Sequence, residues 1–154
     1  MKSKIALLLI SLSMLSCARQ DTGLSQQQVE ALMQQWLKLW SSYDTNQLDA
    51  IFWNSPDLTY FSSEKKGLIK GFDQLKPHHE GFGFIAGGKT PAKALWLDEK
   101  SITLHGNTAV VDAIWLFGDK QMPRDSVQQG PCTFVVIRDE EEEVKIAHVH
   151  FGNY

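Results

Sequence analysis

Between Ser25 and Tyr43 the apolar residues Val29, Leu32, Met33, Trp36, Leu37, Trp40 and Tyr43 recur at steps of three and four. That period gathers them on one face of a helix. Ser25 stands three residues before Gln28, the spacing of a capping box, so the helix is expected over 25–43. Gln26, Gln27, Gln34, Gln35 and Lys38 fall mainly on its wet side. Asp44-Thr45-Asn46 is a stop and a restart, and NQLDAIFW (46–53) is expected as a short second helix burying Leu48, Ile51 and Phe52. Pro56 prevents further helix and makes 54–57 a turn. LTYFSS (58–63) reads as a strand, 64–67 as a hairpin turn, and GLIKG (67–71) as the return strand. A third helix is expected over 72–84, interrupted in composition by Pro77 and Gly81.

The second half of the chain changes period. AKALWLDEKSITLHG (92–106), NTAVVDAIWLFGD (107–119), PCTFVVIRD (131–139) and EVKIAHVHFG (143–152) are β-rich runs. Gly106-Asn107 joins the first pair, and the acidic tip Glu140-Glu141-Glu142 joins the last. The polar stretch 118–130 reads as a long loop. Helices first and a meander of strands afterwards is an α+β order rather than an alternating βαβ one.

The start of the chain belongs to a different class. In MKSKIALLLISLSMLS (1–16), Lys2 and Lys4 precede an apolar run of about eleven residues, too short for the roughly 20 that span a bilayer. Length and flanks are those of an export signal peptide. Met14-Leu15-Ser16-Cys17 resembles a bacterial lipobox, with Cys17 as the lipidated residue and Ala18 following it. The reading is a signal peptide over 1–16, a polar tether over 17–24 and one domain over 25–154. It places the protein on a membrane through acyl chains, at the outer membrane facing the periplasm if the source is Gram-negative; plain secretion is the alternative.

Composition sets bounds on partners. The 154 residues are 43% hydrophobic with five Trp, as in a globular domain. Fifteen Lys and Arg against 18 Asp and Glu give a net charge of -3; loss of Lys2 and Lys4 makes it 13 minus 18, or -5. No nucleic-acid partner is expected at that balance. With Cys17 lipidated, Cys132 has no partner for a disulfide and reads as a buried small hydrophobe within an apolar strand.

Three stretches carry a likeness: the aromatic end of the first helix, WLKLWSSYD; the middle strand GNTAVVDAIWLF; and the ending VKIAHVHFGNY. In their order and spacing the chain resembles the nuclear transport factor 2-like superfamily, its SnoaL-like branch in particular. The resemblance implies a cone-shaped, curved antiparallel sheet packed on N-terminal helices, with an apolar pocket at the mouth. Members include isomerases, cyclases, dehydratases, kinase association domains and plain binding modules, so fold does not settle function. Isomerases of the superfamily keep a carboxylate base on the strand after the second helix. Here those positions hold Tyr60, Phe61 and Ser62, with Asp57 before and Glu64 after the strand, so the base is missing.

Candidate chemistry lies elsewhere. Simple alternation puts His148 and His150 on one face of the last strand together with Val144 and Ile146, about 7 Å apart. They read as pocket-lining histidines, as an acid–base pair, or as two metal ligands seeking a third among His78, His79, Glu80 and Asp112. Asp112 is an acid–base candidate if it points inward and merely solvated if it points outward. Tyr43, Tyr60 and Trp115, with His148 and His150, are the expected ligand contacts, and Tyr60 a candidate proton donor. No nucleophile elbow, phosphate loop or Cys–His metal spacing occurs, so no cofactor and no metal is expected. The leading reading is a lipid-anchored domain that binds a small apolar ligand. The alternatives are a lyase, cyclase or isomerase using His150, His148 or Asp112, and a module that pairs with a second copy through its sheet.

Overall fold

A computed structural model describes residues 23–154; the expected signal peptide, Cys17 and the expected tether up to residue 22 lie outside the described residues. The capping box is formed as expected: Ser25 Oγ accepts from the Gln28 N–H at 3.3 Å, and Gln28 Oε1 accepts from the Ser25 N–H at 3.0 Å. It starts helix α1, Gln26–Ser42, whose buried face is Val29, Leu32, Met33, Trp36, Leu39 and Trp40. Leu39 joins that face, and Leu37 is only half-buried, because the stripe is centred slightly away from the one the spacing suggests. Tyr43 closes the helix in the left-handed region, φ 50°, its N–H donating to the Leu39 carbonyl. Gly23 and Leu24, assigned to the tether by composition, pack on the domain instead. Leu24 is buried, and its N–H donates to the Gly106 carbonyl at 2.7 Å.

The expected second helix is shorter. Asp44 caps a 3-10 turn, Thr45–Gln47, which runs into a single α turn, α2, Leu48–Ile51. Phe52 and Trp53 are extended: Phe52 bridges to Ile146, and the Trp53 N–H donates to the Ile146 carbonyl. The open edge of the last strand offers backbone partners that a helix would leave unused. Strands β1, Thr59–Phe61, and β2, Ile69–Lys70, form the expected hairpin. Helix α3, Phe72–Gly81, ends before the expected residue 84 because Gly83 takes φ +88°.

Four long strands follow: β3, Ala94–His105; β4, Thr108–Gly118; β5, Gln128–Arg138; and β6, Val144–Phe151. The six strands lie in the order β2-β1-β6-β5-β4-β3. The sheet is curved, unclosed and mixed, one pairing departing from the antiparallel expectation. β1 runs parallel to β6, with Thr59 opposite His148 and Phe61 opposite His150. The reason is the stretch just before it: the chain joins the sheet beside Ile146 and therefore travels in β6's own direction. β5 begins three residues earlier than its apolar run. Pro131 is tolerated inside it because β6 has ended there; the Pro131 carbonyl accepts from Gly152, and the missing N–H faces that tail rather than β4.

Helices cover the concave face. Trp36, Phe52, Phe84, Phe134, Met33 and Leu39 are among its fully buried side chains. Trp36 meets Phe134 edge-on at 4.9 Å and stacks on Phe151 at 6.0 Å.

Candidate functional site

At one end of the sheet the helices do not meet it, and a narrow cleft remains. Trp40, Tyr60, Phe82, Trp115, Phe117 and Phe151 form its walls, with Leu95. Its polar groups are Ser62, Ser63 and Glu64 of the β1–β2 loop and Gln128 at the start of β5. The space open to the centre of a water molecule is about 40 Å³. That is well below the roughly 150 Å³ of a cavity that encloses one benzene and far below the roughly 300 Å³ at which pockets for drug-sized ligands start. The cleft is therefore small, excluding a fused polycycle and taking at most a single ring through its open mouth.

The mouth is tied together by the chain end. Trp115 Nε1 donates to the Gly152 carbonyl at 2.7 Å, Asn153 Nδ2 to the Ser63 carbonyl at 3.0 Å, and the Tyr154 N–H to the Gln129 carbonyl at 3.2 Å. The Trp115 indole N–H is thereby used up, and the ring offers the cleft its faces and edges. Tyr60 is buried at the wall, and desolvation raises its phenol pKa, so it keeps its proton at neutral pH and is a poor general acid.

Two histidines of α3 lie behind the wall. His79 is fully buried among Trp40, Phe52, Tyr60 and Phe84, with ring centres 5.1–6.1 Å away. Its Nδ1 lies 3.0 Å from the Leu75 carbonyl. A carbonyl only accepts, so Nδ1 carries the proton and Nε2 is bare, and Nε2 has no partner. Burial pushes the imidazole pKa down to about 4. His78 is also lowered to about 4, by burial and then by the charge of Lys65.

His148 and His150 do not line the cleft. The register between β5 and β6 shifts by one residue: Val135 pairs with His148 and Val136 with Ile146, leaving Ala147 as an extra residue, a β-bulge. Beyond it the parity is reversed. Ile146, Val149 and Phe151 point inward and are buried, whereas His148 and His150 stand on the outer face. The expected grouping of both histidines with Val144 and Ile146 is therefore corrected. His148 Nδ1 lies 2.8 Å from Thr59 Oγ1, and the Phe61 ring sits near both imidazoles, at 6.3 and 5.5 Å. Partial burial, and then His150, lower the His148 pKa.

Asp112 is likewise exposed on the outer face, where it accepts from Thr133 Oγ1 at 2.7 Å. Tyr43 is buried but apart from the cleft, stacked on Phe84 at 4.2 Å. Of the residues expected to touch a ligand, the fold brings Tyr60 and Trp115 together and leaves Tyr43, His148, His150 and Asp112 elsewhere. His78 and His79 are on α3, on the opposite side of the sheet from His148 and His150. Among the described residues no three His, Cys, Asp or Glu side chains converge as a metal site. Cys132 is buried on the inner face, its thiol pushed up to about 12 by burial. Phe151 and Gln128 line the cleft unforeseen: the bulge hides the first, and the second precedes the apolar run.

No known family profile and no curated protein matches the sequence. Solved structures do. A nuclear transport factor 2-like superfamily protein from Salmonella enterica serovar Typhimurium LT2 is 22% identical, with a TM-score of 0.66 over 82% of this chain and 89% of its own. The chain has the nuclear transport factor 2-like fold. A candidate ketosteroid isomerase from Parabacteroides distasonis is 17% identical, with a TM-score of 0.63 over 88% of this chain and 97% of its own. The S. rosetta CaMKII hub is 20% identical, with a TM-score of 0.64 over 83% and 95%. The cleft of this chain is aromatic on its walls, with Glu64 at the mouth as the one carboxylate lining it.

Proposed function

We propose that this protein binds a small, single-ring or similarly sized apolar molecule in the aromatic cleft of its nuclear transport factor 2-like domain. The observation that carries the reading is an open cleft walled by six aromatic rings and ending in a few polar groups, the composition of a small-molecule site. Binding is favoured over isomerase-type catalysis because the one carboxylate at the cleft, Glu64, is exposed at the rim rather than buried against the walls. Ligand-observed NMR with 2-phenylethanol as the probe tests it. Saturation transfer to the ring is expected in the wild type and is lost in Gln128→Trp, which places an indole in the mouth. Absence of transfer to the wild type would sink the reading.

Anchoring by lipid at Cys17, at the outer membrane, is part of the same proposal. Gly23 packs against the Gly106 turn, at the beginning of α1, whereas the cleft opens near Trp40 at its end. A 17-residue helix separates the two ends by roughly 25 Å. A membrane tether would then leave the mouth facing water. Cys17→Ser is expected to abolish incorporation of labelled palmitate, and undiminished labelling would refute the anchor.

A second reading concerns the outer sheet face, where Phe61 is 40% exposed between His148 and His150. An apolar ring displayed there, on the same sheet face as half-buried Val135 and Ile114 two and three strands away, suits pairing with a second copy. A dimer in sedimentation that Phe61→Asp converts to a monomer is the expected result.

A further inference from the structure

We infer that the cleft's ligand is an anion, its ring in the cleft and its acid group over a lysine-lined groove next door; this rests on the small-molecule reading above. The groove runs between α1 and the edge formed by β3 and β4, and Trp40 and Leu95 are walls of both spaces. Lys38, Lys93 and Lys120 stand on the groove, against one acid, Asp119. None of the three lysines is in an ion pair among the described residues.

Two of these ammonium groups are already turned onto aromatic surface. Lys93 Nζ lies 5.7 Å from the centre of the Phe117 ring, and Phe117 is a wall of the cleft. Lys120 Nζ lies 5.7 Å from the centre of the Trp96 ring, which lines the groove. The Lys93 charge is thus held beside a wall of the cleft, and the Lys120 charge beside a wall of the groove, neither with a counter-ion among the described residues.

The competing head group is a cation at Glu64. That carboxylate is single and exposed, and Lys65 and Lys66 follow it directly, so the field at that side of the mouth is not negative. The three unpaired lysines outweigh it. A carboxylate on a short arm would let one ring enter the cleft while the acid group reaches the groove that shares its Trp40 and Leu95 walls.

The experiment compares phenylacetate, 2-phenylethanol and 2-phenylethylamine by calorimetric titration of the described domain's full chain, at low and high salt. Phenylacetate is expected to bind at least about fivefold more tightly than the alcohol. That ratio should fall toward one in high salt and in Lys38→Gln/Lys93→Gln/Lys120→Gln, the alcohol serving as reference for an intact cleft. Equal binding of acid and alcohol, or a preference for the amine, overturns the anion and leaves the cleft reading standing. A preference that survives the triple substitution overturns the lysine assignment. If the alcohol too fails to bind, the cleft reading falls, and this inference with it.

Discussion

Acid should destabilise this domain through His79, over a window set by two pKa values. In the unfolded chain the imidazole takes a proton near pH 6.5; in the fold, burial among four aromatic rings holds it to about 4, against a smaller upward pull from its bond to Leu75. Between those values the unfolded state binds more protons, so stability falls as pH falls, and the loss is complete below about pH 4. Worked from the two values, the penalty relative to pH 7.5 is about 1 kcal/mol at pH 5.5 and about 2 to 3 kcal/mol at pH 4.5. His78 and His148 add to the slope in the same direction, since both are lowered. Asp44 acts in another window. Backbone N–H groups of Asn46 and Gly87 lower its pKa, so its contribution is lost only as pH drops below the usual carboxylate range. The decisive comparison is urea unfolding of wild type and His79→Leu at pH 7.5, 6.5, 5.5 and 4.5. Leu is close to His in volume, removes the orphaned Nε2 and gives up the bond to Leu75, so at pH 7.5 the variant should lie within about 1 kcal/mol of wild type. At pH 4.5 it should be spared about 2 to 3 kcal/mol of the wild-type loss. If both proteins lose the same stability between pH 7.5 and 4.5, His79 is not the buried neutral base described above.

Deletion of Ala147 leaves Ile146 and His148 adjacent, Ile146 still opposite Val136 and His148 opposite Val135, so Ile146, Val149 and Phe151 keep facing inward; a urea-unfolding stability within about 1 kcal/mol of wild type is expected, and a loss of about 3 kcal/mol or more would refute the assignment of Ala147 as the extra residue. Gly130→Ala sets a methyl group against the Gly152 carbonyl, backbone on backbone; a thermal midpoint lowered by about 5 °C or more is expected, and an unchanged midpoint would mean that the chain end moves freely away from β5.

What could be read in advance was whatever neighbours along the chain decide. The capping box at Ser25 and Gln28, the apolar stripe of α1, the β1–β2 hairpin and the order of the long strands follow from spacing and turn chemistry alone. Tyr60 and Trp115 were legible as inward-facing wall residues because each sits in a strand with unbroken alternation. The histidines of β6 were not. Their spacing is that of an ordinary strand, and the extra residue at Ala147 exists only because β5 pairs with β6 in a shifted register. The parallel approach of β1 likewise depends on Phe52 and Trp53 meeting the open edge at Ile146, almost a hundred residues later. Local sequence therefore determined the elements and their aromatic inventory. Tertiary pairing alone decided which face each side chain serves, since one residue of register turns every later side chain of a strand to the other side.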